Sequence, residues 1–200
     1  MIIEKQENGF LRKFTKKGRK YMFGKLKRYL YAKINLGLST NYQRFIRGGG
    51  IIGTGCSVFP NVEFGSEPYL IKIGDNVRIT NGVKFCTHDG GIWTIRRVKQ
   101  LENADVFGPI VVGDNVHIGW NVIIMPNVRI GNNCVIGAGA VVTKDVPDNS
   151  VAVGVPARVI ESIEEYENKV FEKCDFTKNY SAEDKKKYLL KKYQIKGVYK

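Results

Sequence analysis

The chain has 200 residues and carries 32 Lys and Arg against 19 Asp and Glu, a formal net charge of +13. The excess lies at one end, because residues 1–47 hold 13 basic and two acidic residues, whereas residues 48–160 hold nine of each. A neutral body without a recognised nucleic-acid-binding module argues against nucleic acid as a partner. The four cysteines are far apart and form no CxxC pair, which argues against a zinc site and a disulfide framework.

The N-terminal segment, residues 1–47, interleaves aromatic and aliphatic side chains with Lys and Arg. Four of its apolar residues recur at helical spacing: Phe23, Leu26, Leu30 and Ile34. We predict a helix that either caps the open edge of the body or lies on an anionic membrane surface. The start is polar and no apolar run approaches the roughly 20 residues that span a bilayer. We therefore expect a cytoplasmic protein, at the inner face of the membrane if this helix binds lipid.

Residues 48–160 carry a repeat of six. Stepping by six always meets Ile or Val at Val112, Ile118, Ile124, Ile130, Ile136 and Val142. Shorter runs with the same step precede it, at Ile52, Val58, Phe64 and at Ile73, Ile79, Phe85. A small or β-branched residue follows four places on, at Val116, Val122, Val128, Cys134, Ala140 and Val146. This period fits neither a 3.6-residue helix nor an ordinary hairpin array.

A six-residue period fits a solenoid in which each hexad supplies one short strand and one turn. Three hexads then make a triangular coil, with each aliphatic residue stacked about 4.8 Å above its equivalent. Gly-Asp-Asn at 74–76 and 113–115, and Gly-Asn-Asn at 131–133, suit turns that need a positive φ. The sequence predicts an all-β fold, a parallel β-helix with a helical N-terminal segment and a helical C-terminal tail at 161–200.

The repeat breaks between Phe85 and Val112, whose separation of 27 residues is not a multiple of six. We therefore predict a loop of about residues 86–110 that leaves the solenoid, and long loops of this kind are usually functional. His88 lies at its root. An imidazole can take the proton of an attacking hydroxyl because its pKa is near neutrality, so we predict that His88 is a general base.

The run VGDNVHIGWNVIIMPNVRIGNNCVIGAGAVVTKDVPDNSVAVGVPARVI, residues 112–160, resembles the hexapeptide-repeat acyltransferases. The similarity is strongest to the galactoside, maltose, nodulation-factor and capsule-sugar O-acetyltransferase branch, and it covers about residues 52–160. It implies a left-handed parallel β-helix, a homotrimer with active sites between subunits, and acetyl-CoA as co-substrate. In this family a histidine at the root of the same loop is the general base, and His88 matches it.

The resemblance also implies which residues bind the two substrates. Asn61 resembles an asparagine that contacts the acceptor, and we predict further acceptor contacts from the loop residues Asp89, Trp93, Arg96 and Arg97. Asp89 has two alternative roles: it could orient His88, or it could form a turn before Gly90 and Gly91. The implied acetyl-CoA contacts are His117, Gly119, Trp120, Ala138, Thr143, Lys144 and Arg158.

Within the acetyl-CoA set, Gly119 and Ala138 are expected along the pantetheine arm, and backbone amides of the Gly119–Trp120 turn are candidates for the oxyanion. Thr143, Lys144 and Arg158 are expected at the nucleotide and its phosphates. His117 either lines this cleft or packs at a subunit interface.

We therefore predict acetyl transfer from acetyl-CoA to a saccharide hydroxyl, in surface or capsular glycan biosynthesis. N-acetylation of an amino-sugar nucleotide on the same solenoid stays open. A non-catalytic scaffold would not need a histidine-bearing loop. A zinc enzyme of the carbonic anhydrase type needs three histidines and the chain has two, so no metal is expected.

Overall fold

The computed structural model describes residues 40–98 and 100–195. The helix predicted around Phe23 to Ile34, and the membrane contact predicted for most of the N-terminal segment, lie outside these residues. The chain divides into two compact units, Met1–Glu164 and Glu165–Lys200. None of the helices in the described ranges is long and apolar enough to cross a membrane.

The regular elements are short. The helices are α1 (Thr40–Arg47), α2 (Ile92–Arg96), α3 (Ile163–Phe171) and α4 (Ala182–Lys192), with a 3-10 turn at Pro68–Leu70. The strands are β1 (Ile51–Ile52), β2 (Ser57–Val58), β3 (Ile71–Ile73), β4 (Arg78–Ile79), β5 (Lys84–Phe85), β6 (Ile110–Val112), β7 (His117–Ile118), β8 (Ile123–Ile124), β9 (Arg129–Ile130), β10 (Val135–Ile136), β11 (Val141–Val142), β12 (Ser150–Val153) and β13 (Arg158–Ser162).

The chain visits three sheets in turn. Sheet A contains β1, β3, β6 and β9, sheet B contains β2, β4, β7, β10, β12 and β13, and sheet C contains β5, β8 and β11. All pairs are parallel except the closing hairpin of β12 with β13. Register partners lie 18 residues apart at Val112 and Ile130, Ile118 and Ile136, Ile124 and Val142. Eighteen residues are three hexads, so the predicted coil of parallel strands is confirmed.

The interior is filled by the two rows that the repeat predicts. The main row from Val112 to Val142 is at most 2% exposed, and the second row from Val116 to Val146 is at most 4% exposed. Each Ile or Val buried in this way contributes about 1.5–3 kcal/mol. At the N-terminal end, Phe45 of α1 stacks on Phe64, with ring centroids 4.2 Å apart, and so closes the first coil.

Asparagines and glycines both take a positive φ at the tight turns, the glycines including Gly55, Gly82 and Gly139. Six asparagines in the described ranges have φ between 53° and 62°: Asn76, Asn115, Asn121, Asn127, Asn133 and Asn149. The turns predicted at 74–76, 113–115 and 131–133 do have a positive φ, at Asn76, Asn115 and Asn133 rather than at Gly74, Gly113 and Gly131. These glycines are needed because adjacent coils approach closely: a Cβ on Gly113 would lie 2.6 Å from the Oδ1 of Asn132.

Two insertions interrupt the coil at the same corner, between sheet C and sheet A. Ile52 pairs with Ile73, 21 residues on, because the 3-10 turn adds residues to the first coil. Ile73 pairs with Val112, 39 residues on, because the predicted loop leaves the coil here. The extra residues of two successive coils are therefore stacked one on the other.

The second unit is helical, in agreement with the predicted tail. Helix α4 is capped by Ser181, whose hydroxyl accepts a hydrogen bond from the backbone N–H of Asp184 at 3.0 Å. Asp175 accepts hydrogen bonds from Tyr188 and from Lys192, each at 2.6 Å. These contacts hold α4 against the segment that precedes it.

Candidate active site

The loop after β5 has a closed neck. The N–H of Gly108 donates to the carbonyl of Thr87 at 2.9 Å, and the N–H of Asp89 donates to the carbonyl of Val106 at 2.9 Å. His88 faces Phe107 in the antiparallel bridge between them. The excursion therefore spans residues 88–107, slightly shorter than predicted, and His88 is its first residue. Such pairing fixes the backbone of His88 to the rigid coil.

His88 is paired with a carboxylate that the sequence analysis missed. Its Nδ1 lies 3.1 Å from Oε2 of Glu67, and the same oxygen accepts a hydrogen bond of 2.5 Å from the hydroxyl of buried Thr87. Glu67 comes from the first insertion and His88 from the second. The signal was present in the sequence, because Phe64 to Ile73 is nine residues rather than six and both breaks follow the same stacked position.

The protonation of this pair follows from the hydrogen bonds. Burial opposes ionisation of Glu67, but hydrogen bonds from Thr87, Ser66 and His88 outweigh it, so the pKa of Glu67 lies below its usual range. An ionised carboxylate only accepts hydrogen bonds, so Nδ1 of His88 carries the proton. In the neutral imidazole Nε2 is then the acceptor. The Glu67 side chain is 14% exposed and that of His88 is 47% exposed, which leaves the ring accessible.

A cavity of about 190 Å³ opens beside His88. Its walls are formed by the loop: His88, Asp89, Gly90, Ile92, Trp93, Arg96, Asp105 and Val106. Three of the four loop residues predicted to bind the acceptor are thus brought to His88. The fourth, Arg97, follows the end of α2 and is exposed away from the cavity lining.

Arg96 and Asp89 are already engaged within the loop. Arg96 forms an ion pair with Asp105, and its Nε donates to the carbonyl of Ala104 at 2.9 Å. The Oδ1 of Asp89 accepts the N–H of Gly91 at 2.8 Å, which is the turn-forming alternative considered for it. Trp93, in contrast, is 71% exposed at the rim of the cavity.

Asn61 lies at a different corner of the coil. Its carbonyl accepts the N–H of Gly82 at the turn between sheet B and sheet C, and it does not line the cavity at His88. The predicted grouping of Asn61 with the loop residues is therefore absent in this single chain.

Most of the residues predicted to contact acetyl-CoA lie in two places, at the same corner between sheets B and C and at the last coil. The N–H of Gly139 donates to the carbonyl of Trp120 at 2.7 Å, which places Ala138 beside Trp120. The N–H of Gly119 already donates to Ile136, so it is not free for an oxyanion. Within residues 40–98 and 100–195 the N–H of Trp120 has no hydrogen-bond partner.

Thr143, Lys144 and Arg158 are exposed at the last coil. The N–H of Ala157 donates to the carbonyl of Val141 at 2.8 Å, so Arg158 and the Thr143–Lys144 pair lie within three residues of one hydrogen bond. No carboxylate in the described part of the chain forms an ion pair with Lys144 or Arg158. Two positive charges are thus available at this edge.

His117 is separate from His88. It lies on the outer row of sheet B and lines a cavity of about 310 Å³ with Arg78 and Asn115. Partial burial and the positive charge of Arg78 lower the pKa of His117. Within the described ranges, no group of three or more His, Cys, Asp or Glu is arranged to hold a metal ion.

The sequence and the fold of this chain are similar to those of several known proteins. The family model described as "Bacterial transferase hexapeptide (six repeats)" matches residues 109–144. Protein CapG of Staphylococcus aureus is 57% identical over 131 residues, 66% of this chain and 75% of CapG. Galactoside O-acetyltransferase of Escherichia coli (strain K12) is 45% identical over 98 residues, 48% of this chain and 46% of that enzyme. The chain thus spans about half the length of this second relative.

A solved structure has the same coil. A hexapeptide-repeat-containing acetyltransferase of Vibrio cholerae is 34% identical, with a TM-score of 0.50 over 56% of this chain and 61% of that one. The same protein has been solved in complex with acetyl coenzyme A. The family model, the Escherichia coli enzyme and the Vibrio cholerae protein are named as transferases or acetyltransferases, which agrees with the hexad-built coil. The chain belongs to the hexapeptide-repeat acyltransferase family, which confirms the predicted family and the prediction of an enzyme.

Proposed function

We propose that the protein transfers the acetyl group of acetyl-CoA to a hydroxyl group of a saccharide, in the synthesis of a surface or capsular glycan. The observation that carries the proposal is the Glu67–His88 pair at the neck of the loop, with the His88 side chain about half exposed. The similarity to a galactoside O-acetyltransferase supports the saccharide acceptor.

His88 is the general base of this proposal. Its Nε2 takes the proton of the acceptor hydroxyl as the hydroxyl oxygen attacks the thioester carbonyl carbon. The imidazolium that forms is stabilised by the Glu67 carboxylate, which also holds the ring in the required tautomer. When the tetrahedral intermediate collapses, the carbon–sulfur bond breaks and His88 returns the proton to the departing thiolate of CoA. No acyl-enzyme is needed, because positioning both substrates provides much of the acceleration.

The oxyanion and acetyl-CoA bind at the corner between sheets B and C, where Trp120 lies. The free N–H of Trp120 is the donor for the oxyanion, with Ala138 and Gly119 along the pantetheine arm. Lys144, Arg158 and the hydroxyl of Thr143 contact the phosphates. The indole of Trp120 is 57% exposed and replaces the small polar residue expected there from the family resemblance.

A homotrimer completes this site. His88 follows β5 at the corner of sheets C and A, whereas Trp120 lies at the corner of sheets B and C. A whole face of the coil separates the two corners, so a cleft that contains both requires adjacent copies.

The proposed winding is left-handed, and the proposed division is an N-terminal segment at 1–47, a coil at 48–160 and a tail at 161–200. Membrane contact through residues 1–47 stays a proposal.

The test is CoA release from acetyl-CoA in the presence of sugars, amino sugars, nucleotide sugars and glycan fragments. We expect saccharide-dependent release and an O-acetyl product by mass spectrometry. A product acetylated on nitrogen supports the N-acetyltransferase alternative, and no release with any acceptor contradicts the proposal. Light scattering should give about three times the chain mass of 22.6 kDa, and a monomer contradicts the shared cleft.

A further inference from the structure

A second, larger cavity lies beside the first insertion, the segment that carries Glu67. Its volume is about 650 Å³, and we call it the α1 groove because Asn41, Arg44 and Phe45 of α1 form one wall. The other wall contains Gly65 and Ser66, and Ser66 hydrogen-bonds to Glu67. The lining residues Ser66 and Pro68 flank Glu67 in the chain, so the groove lies next to the segment that holds the proposed base.

The two cavities differ in what they can accommodate. Sites for small ligands usually have volumes of about 300–1,000 Å³. The cavity beside His88, about 190 Å³, is smaller than this range, whereas the α1 groove lies within it. An acceptor that extends past the reacting sugar has space in the α1 groove.

The side chains of the groove favour an acidic saccharide. Tyr69 is 64% exposed and presents a large aromatic surface, which packs well on the apolar face of a sugar ring. The guanidinium of Arg44 has no hydrogen bond or ion pair to any residue in the described ranges. The carboxylate in the lining, Glu63, is neutralised by Lys84 at 2.7 Å. The groove thus has an unpaired positive charge, and Arg recognises carboxylates with directed hydrogen bonds.

We propose that the α1 groove is a second acceptor subsite, which binds a sugar residue next to the one that is acetylated and recognises a carboxylate on it. The acceptor class is then an acidic oligosaccharide rather than a free monosaccharide. This inference rests on the proposed acetyl transfer to saccharides. Arg44 binds the carboxylate and Tyr69 packs against the ring.

The experiment compares saccharides of one to four residues, each supplied as the uronate and as its carboxyl-reduced neutral form, with UDP-sugars as a separate arm. Release of CoA gives kcat/KM for each. We expect the uronate oligosaccharides to exceed both their neutral forms and the monosaccharides by roughly tenfold, the size of one charge-assisted hydrogen bond. Arg44→Gln should remove most of the preference for the uronate, and Tyr69→Ala most of the preference for chain length.

Arg47→Gln is the matched control. Arg47 is an exposed arginine of the same helix that does not line the groove, so both preferences should be retained. Melting temperatures of the three variants show whether each is folded. Equal use of neutral and acidic chains, a preference for UDP-sugars, or an Arg44→Gln enzyme with unchanged preference overturns the subsite. Absence of CoA release with every saccharide overturns the proposed function instead, so the two failures are distinguishable.

Discussion

Replacing Glu67 with Gln removes the negative charge beside His88 while nearly preserving the size of the side chain. The Nδ1–Oε2 distance is 3.1 Å, and the two side chains are 14% and 47% exposed. Two charges about 4 Å apart interact by about 1 kcal/mol in water and about 4 kcal/mol at an effective dielectric constant of 20. Because His88 is half exposed, solvent screening reduces this to about 1–2 kcal/mol. We therefore expect kcat to fall roughly 5–30-fold.

The assay is steady-state CoA release with an accepted saccharide. Since Glu67 acts on the charge that develops on His88, kcat should fall while the KM for acetyl-CoA stays within a factor of about two. Glu67→Asp should recover part of the loss. Glu102→Gln is the control, because Glu102 is an exposed carboxylate of the loop that carries His88 and lies outside the cavity lining. A Glu67→Gln enzyme with unchanged kcat, or one that loses activity only by unfolding, refutes the role of the pair.

Three further outcomes are expected. Ile124→Ala should cost about 2–5 kcal/mol in urea unfolding because the side chain is fully buried, whereas Ile123→Ala on the outer face of β8 should cost much less. The lowered pKa of His117 means that the unfolded chain binds more protons below about pH 6.5. The free energy of unfolding should therefore decrease as the pH is lowered below about 6.5, and it should decrease less in His117→Asn. Thermal melts at a series of pH values check this. Lys144→Ala with Arg158→Ala should raise the KM for acetyl-CoA more than that for the acceptor.

The coil could be predicted from the sequence because one local rule generates it. Each hexad buries a residue of the main row and a residue of the second row, and every coil repeats the same environment. Periodicity therefore carries the information, and the stacking of Ile118 on Ile136 required no knowledge of distant contacts. The position of His88 at the start of the loop could also be predicted, because the six-residue repeat stops at Phe85, three residues before it.

The partner of His88 depends on a contact between two irregular segments. Glu67 is 21 residues away in the sequence, directly before a 3-10 turn that lies outside the repeat. Its contact with His88 depends on how the two insertions stack. Counting the break from Phe64 to Ile73 locates the segment but not the side chain that points to the histidine. The role predicted for the Gly119 amide failed for a similar reason, since its N–H bonds to the next coil.

Asn61 and the loop residues lie at different corners of a single chain, so an acceptor site that contains both stays a prediction that needs a second copy. A sequence read along one coil does not show which corners of neighbouring copies meet. In the proposed trimer, the site is formed by adjacent copies rather than by one chain.

Substitution of His88 by Ala tests the central claim most directly. The measurement is the turnover number for CoA release with an accepted saccharide, together with acetyl-CoA affinity and the melting temperature of the same preparation. We expect kcat to fall by roughly 10²–10⁴-fold, the usual contribution of a general base, with binding of acetyl-CoA and folding retained. A His88→Ala enzyme whose kcat stays within a few-fold of the unmodified protein would contradict the account.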